Sequence, residues 1–227
     1  CDKYVIPAED LCRDYIKQGA KREQLLPYGI PVSRVFETPA KDIATLRKEL
    51  GLQPDKRCVL VTGGSMGAGN IKRLAEKLIR YGRENTDTQF VIICGTNEKL
   101  RRILTEKTAG VNSFTILGFT DRMHDYMAAA DIFITKPGGL SSTEAAVSRV
   151  PIVHMSPIPG CETKNVKYFA SHGMSLSLKK MKIEQALDKL KDREAYRSIV
   201  ESQRRNISSA AGRICDLLEN MANKKVS

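Results

Sequence analysis

Cys58-Val59-Leu60-Val61-Thr62-Gly63-Gly64-Ser65-Met66-Gly67-Ala68-Gly69-Asn70 is the stretch on which the fold turns. A short unbroken apolar run rich in Val predicts a strand buried on both faces. The glycines after it end the strand and let the backbone pass close to a ligand, and a helix is expected at once, near 70–83. Strand, glycine turn and helix form the opening of a parallel βα unit. The same alternation continues, with strands expected at 90–94, 113–117, 131–135, 151–155 and 174–178. Between them the polar-apolar pattern predicts helices near 97–108, 121–129, 142–148 and 162–171. Including 58–62, this predicts a six-stranded, Rossmann-like, doubly wound parallel α/β sheet.

Outward from this core the pattern changes. Residues 1–57 offer a strand at 3–6, a helix near 8–18, a segment broken by Pro27, Gly29 and Pro31, and a helix near 40–50 closed by Gly51. They read as a linker region ahead of a main domain at 58–178. Residues 179–227 form an amphipathic tail rich in Lys and Arg, read as C-terminal basic helices. The chain starts at Cys1 with the strand Tyr4-Val5-Ile6 already under way, so a piece of a longer protein is expected.

The 227 residues are 41% hydrophobic and 28% charged, which is the balance of a globular chain and not of a disordered one. The apolar runs have strand length and are too short to span a bilayer. Cys1, Cys12, Cys58, Cys94, Cys161 and Cys215 are scattered, without a CxxC pair, so buried free thiols in a reducing, cytoplasmic compartment are expected and a zinc site is not. His124, His154 and His172 are isolated and read as surface or core histidines. The net charge of +11 calls for anionic partners. With 6% aromatics, no Trp and no interleaving of aromatic and basic residues, nucleic acid is not expected among them.

The chemistry is expected on the strand-to-helix turns, which share the carboxyl edge of a parallel sheet. Gly63, Gly64, Ser65, Met66 and Gly67 can offer backbone and a helix N-terminus to phosphate oxygens. They are not a P-loop, lacking Gly-Lys-Ser/Thr, nor a dinucleotide fingerprint, because Lys72 stands where the third glycine belongs. Lys136, Pro137, Gly138, Gly139, Ser141, Ser142, Thr143 and Glu144 make a second such turn. There Glu144 can accept two hydrogen bonds from a sugar diol, or close a capping box with Ser141. Lys136 can meet a diphosphate, or stand solvated at a strand end. In a third turn, Pro157, Pro159 and Gly160 lead to Glu162, Thr163 and Asn165, able to grip hydroxyls or to cap a helix. Gly118, Phe119, Thr120 and Met123 make a fourth, with Asp121 as a helix cap.

Taken together, Ile134-Thr135-Lys136-Pro137-Gly138-Gly139, Ser142-Thr143-Glu144-Ala145, Pro151-Ile152 and the run from Pro159 to Asn165 resemble the donor-binding domain of a known family. It is the monogalactosyldiacylglycerol synthase and processive diacylglycerol glucosyltransferase group, related to the peptidoglycan lipid-intermediate N-acetylglucosaminyltransferase. Gly63 to Gly67, Gly118-Phe119-Thr120 with Met123, and Ala128-Ala129-Ala130-Asp131 extend the likeness, which runs from about residue 3 to 173. Tyr4 to Glu9 and Gly29-Ile30-Pro31-Val32 resemble the last strand of that family's acceptor domain and its interdomain linker, so the resemblance implies that 1–57 are the end of that domain and the linker.

The resemblance implies the C-terminal half of a two-domain GT-B fold and inverting transfer from a UDP-sugar, which is a substrate and not a cofactor. It implies no metal at the reaction centre, a lipid acceptor of the diacylglycerol type and a peripheral place at the membrane. By position, Glu144 would bind the ribose hydroxyls, the turns at 63–67 and 138–143 would hold the diphosphate, and 118–123 would contact uracil. Gly160, Cys161, Glu162, Thr163 and Asn165 would face the sugar. Cys161 departs from the glutamine common there. The catalytic base is expected in an N-terminal acceptor domain outside this sequence. Two alternatives share the scaffold: a non-catalytic UDP-sugar-binding regulatory module and a UDP-hexosamine epimerase.

Overall fold

The computed structural model describes residues 2–37, 41–64, 71–157 and 160–223, with the backbone alone of Cys161. Strands β1 (Tyr4–Val5) and β2 (Leu25–Leu26) form a short parallel pair joined through α1 (Cys12–Lys17). Helix α2 (Ile43–Glu49) starts where the Asp42 carboxylate accepts the Thr45 amide at 3.0 Å. The main sheet then alternates with helices: β3 (Arg57–Thr62), α3 (Ile71–Glu84), β4 (Thr88–Ile93), α4 (Glu98–Lys107), β5 (Phe114–Leu117) and α5 (Met123–Ala129). It continues through β6 (Ile132–Thr135), α6 (Gly139–Val147), β7 (Ile152–His154), α7 (Cys161–Ser171) and β8 (Ser175–Ser177). Helices α8 (Ile183–Lys189), α9 (Arg193–Asn206) and α10 (Ala211–Asn223) follow.

All six strands of the main sheet are parallel, in the order β5-β4-β3-β6-β7-β8. The chain starts at the centre, moves out through β4 and β5, then returns to lay β6, β7 and β8 on the other side of β3. The sheet is doubly wound, as expected, and its switch point lies between β3 and β6. Strand residues alternate between two cores. Leu60, Val91, Phe133 and Ile152 pack beneath α2, α5, α6 and α7. Val59, Val61, Ile92 and Ile134 pack against α3, α4 and α8. Each such side chain contributes about 1.5–3 kcal/mol by leaving water.

Several element boundaries differ from the sequence reading, two of them with a physical reason in the packing or at the site. Strand β4 begins at Thr88, because the buried Gln89 amide donates to the Gln53 carbonyl at 2.7 Å and its oxygen accepts the Gln53 amide at 3.0 Å. A polar residue thus sits satisfied inside the sheet, where an apolar pattern would not place one. Helix α6 begins at Gly139, three residues before the expected start at 142. The cores also run across residues 57 and 178, since Leu46, Leu50 and Leu52 join one of them and Ile183, Leu187 and Ile199 the other.

Cys12, Cys58 and Cys94 are buried free thiols, while Cys215 is exposed against expectation because it lies on an outer face of α10. Burial pushes the Cys58 thiol up to about 12 and Cys94 to about 11, leaving both protonated and unreactive. No helix among the described residues is long and apolar enough to cross a membrane.

One buried cation ties α2 to the sheet. Arg47 donates to the carbonyls of Ala129, Pro54 and Lys56 and to the Asp131 carboxylate at 2.7 Å, and that carboxylate also accepts the Cys58 amide. Arg47→Met keeps the volume but strands these acceptors. With Asp131 about one third exposed, the expected loss is roughly 2–4 kcal/mol, read as a lower urea midpoint at unchanged slope.

Candidate functional site

The last residues of the central strands form a polar row. Thr62, Thr135, His154 and Ser177 are successive cross-strand partners, all buried at the carboxyl rim. Above the switch point a cavity of about 150 Å³ opens, bounded by Thr62 and Gly64 after β3, Gly95 after β4, and Phe119, Thr120 and Met123 before and in α5. Ser141 and Glu144 close it from α6, over a floor of Ile93, Met127 and Phe133.

Because α6 starts at Gly139 with Gly138 as its cap residue, Ser141 and Glu144 lie inside the helix. The capping-box alternative for Glu144 is thereby removed. Its carboxylate is half-buried, has no hydrogen-bond or ion-pair partner among the described residues, and burial raises its pKa above the ordinary 4.5. The amides of Gly139, Leu140 and Ser141 occupy the first turn, where no intrahelical acceptor exists; the first bond is Ser142 N–H to the Gly138 carbonyl. A half-buried carboxylate and a set of open amides therefore share one helix end.

Other expected residues are used differently. Ser142 is fully buried, its hydroxyl 2.9 Å from His154 Nε2, so it locks α6 to β7 and offers no donor to the rim. Thr143 donates to the Gly139 carbonyl at 2.8 Å, so that proton too is spent within the helix. Asn165 donates its amide to the Pro137 carbonyl at 2.9 Å and braces the turn before α6. Lys136 reaches over Gly64, where an added Cβ would lie 3.1 Å from its Cε, and its Nζ is 3.7 Å from the Glu162 carboxylate. It is therefore not the freely solvated strand-end residue of the bland alternative. Glu162 is buried and Thr163 is exposed at the start of α7, after Gly160 with φ +117°, a conformation open only to glycine.

Phe119 presents its ring to solvent at 69% exposure on the cavity wall, and Gly118 packs near Glu98 and Arg101. Asp121 does not cap α5: the residue before that helix is Arg122, whose amide bonds the Thr120 hydroxyl. Ser65, Met66, Gly67 and the Cys161 side chain lie outside the described residues. Thr62, Ile93, Gly95, Met127 and Phe133 were not singled out from sequence. Gly95 alone carried a usable signal, a glycine directly after a buried strand.

Residues 58–213 match the glycosyltransferase family 28 C-terminal domain. The chain is similar to a processive diacylglycerol beta-glucosyltransferase of Staphylococcus saprophyticus, 33% identical over 171 residues, which cover 75% of this chain and 43% of that protein. The chain thus spans less than half the length of that relative. A UDP-N-acetylglucosamine 2-epimerase superposes with a TM-score of 0.72 at 15% identity, over 98% of this chain and 58% of its own. Anabaena Alr3699/HepE, crystallised with UDP, gives 0.62 at 14%, over 97% of this chain and 64% of its own. At these identities the structural likeness is one of fold.

His154 supplies a test of how α6 is held. Burial lowers its pKa from 6.5 to about 4, so the ring is neutral in the folded protein at neutral pH. The unfolded chain takes up a proton that the folded chain refuses as pH falls from 6.5 towards about 4, and stability is lost over that window. The loss amounts to roughly 3 kcal/mol at one proton. His154→Gln should flatten the acid limb of unfolding free energy against pH; a limb as steep as in the wild type would refute this account.

Proposed function

The chain belongs to the glycosyltransferase family 28 C-terminal domain, and on that premise we propose that it binds the UDP-sugar in an inverting hexosyltransferase acting on a diacylglycerol-type lipid. Glu144 carries this reading. A carboxylate desolvated at the switch point of a doubly wound sheet, with no partner among the described residues, suits two donors from a ribose diol. The exposed face of Phe119 suits a pyrimidine, and the open amides of α6 suit a diphosphate. Glu162, Thr163 and Asn165 remain the proposed sugar-facing group, Asn165 through the oxygen that its brace leaves available.

In the proposed reaction the acceptor oxygen forms a bond to the anomeric carbon while the bond from that carbon to the β-phosphate oxygen breaks. The acceptor proton passes to a general base, and the electron pair leaves with UDP. This chain's share is the leaving group: the α6 amides and Lys136 stabilise charge as it develops on the diphosphate, where one well-placed donor is worth roughly 100-fold or more in rate. The base and the acceptor site are assigned to residues beyond this chain, in keeping with its coverage of 43% of the similar glucosyltransferase. The 33% sequence likeness favours a transferase over an epimerase, for which only the fold speaks. The net charge of +11 supports an anionic membrane surface as the place of work.

UDP should raise the thermal midpoint of this chain, and Glu144→Ala should weaken UDP by roughly 100-fold, the loss of two charge-assisted hydrogen bonds. No binding at millimolar UDP would refute the proposal. Uridine, which carries no titrating phosphate, should bind more weakly on acidification with a midpoint above 4.5, and Glu144→Gln should abolish that dependence. The raised carboxyl pKa favours folding only while Glu144 is protonated, and that stability is lost as pH rises through the folded pKa. Glu144→Gln should therefore unfold at neutral pH no earlier than the wild type, even as UDP protection disappears.

A further inference from the structure

A second groove, of about 350 Å³, runs beside the donor cavity between α3, the turn after β7 and the start of α8. Its rim carries Arg73, Lys77, Lys136 and Lys182 against a single carboxylate, Glu162, which already lies 3.7 Å from Lys136. The side chains of Arg73, Lys77 and Lys182 make no hydrogen bond or ion pair among the described residues. These three cations, gathered around one depression without ion-pair partners among the described residues, repel one another, and an anion placed among them relieves that repulsion. The floor is of another kind: Leu74, Met155, Leu178 and Met181 give aliphatic and thioether surface.

We propose that this groove binds the head-group end of an anionic phospholipid, its phosphate among Arg73, Lys77 and Lys182 and the first carbons of its acyl chains on the floor. A sugar would leave the rim cations uncompensated, and a simple polyanion would compensate them but leave its oxygens without partners over the floor. A lipid phosphate joined to hydrocarbon matches both parts, and methionines adapt to flexible chains. The membrane contact is thereby placed on a discrete pocket and not on the diffuse charge of the C-terminal helices. The proposal extends the lipid side of the function above; the groove shares Lys136 and Glu162 with the proposed donor site, so the groove is probed at Lys77, Lys182 and Met181.

The test is calorimetric titration of this 227-residue chain with four soluble probes: dihexanoyl-phosphatidylglycerol below its micellar concentration, dihexanoyl-phosphatidylcholine, glycerol phosphate and inorganic phosphate. The anionic lipid should bind saturably and at least about tenfold more tightly than each of the other three. Lys77→Glu with Lys182→Glu should weaken it by about tenfold or more, while Arg193→Glu with Arg197→Glu on α9 should change it by less than about twofold. Met181→Gln should erode the preference for the lipid over glycerol phosphate and leave glycerol phosphate binding as it was. Retained UDP binding shows that each variant is folded. Equal affinity for lipid and glycerol phosphate, equal loss in the α9 variant, or no saturable binding would each overturn the proposal. A wild-type chain that binds the lipid but not UDP would refute the donor site and leave the groove standing.

Discussion

Strand β3 is hydrogen-bonded along both edges, to β4 over its whole length and to β6 over its last four residues, with Val59, Leu60 and Val61 fully buried. Both neighbours run parallel to it, so each must be reached by a crossover, and every crossover starts at the same edge of the sheet. The residues after Thr62, Ile93, Leu117, Thr135 and His154 are thus brought to one rim, although they are spread over some two fifths of the chain. Nothing in any one turn dictates that convergence. It follows from parallel pairing about a central strand, and the cavity beside Glu144 sits where the winding reverses, because there the helices on either side diverge.

The apolar runs at Cys58 to Val61 and Phe90 to Ile93 were legible because a strand buried on both faces needs uninterrupted hydrophobic residues. The glycine turns were legible because they interrupt those runs. Less legible was anything decided by partners distant in sequence. Gln89 reads as a break in a strand until the Gln53 backbone is seen to satisfy it. Ser141 and Glu144 have the spacing of a capping box, yet the helix begins at Gly139, where Asn165 holds the preceding Pro137 carbonyl. No local rule contains that hydrogen bond, and it separates a capping carboxylate from a cavity-facing one. The groove cations at positions 73, 77, 136 and 182 come from three separate segments, so no sequence window could have shown them as a cluster.

Helix α6 shows how stability and binding are divided between neighbouring residues. Ser142, Ala145 and Ala146 face inward, and the small side chains let the helix lie close on the sheet while the Ser142 hydroxyl meets His154. Ser141 and Glu144 face the cavity. A turn of helix separates these faces by about 100° per residue, so one short segment serves both without compromise in its backbone.

The two titratable groups at this place are both displaced by burial, and the contrast between them sorts their roles. His154 loses its charge and keeps one hydrogen bond, at Nε2, while Nδ1 is buried without a partner among the described residues, so the ring sits in the core in its neutral form. Glu144 is pushed towards its neutral form too, but its environment supplies no compensating partner among the described residues. A carboxylate kept for structure would be expected to have acquired a donor, since a group held half-buried and unpaired costs stability in every folded molecule. That cost is offset only when something outside the chain brings the donors. The open amides beside it are in the same condition, with the opposite polarity. An acceptor and a row of donors, each unsatisfied within the helix and separated by one turn, fit a ligand that carries hydroxyls at one end and an anionic group at the other.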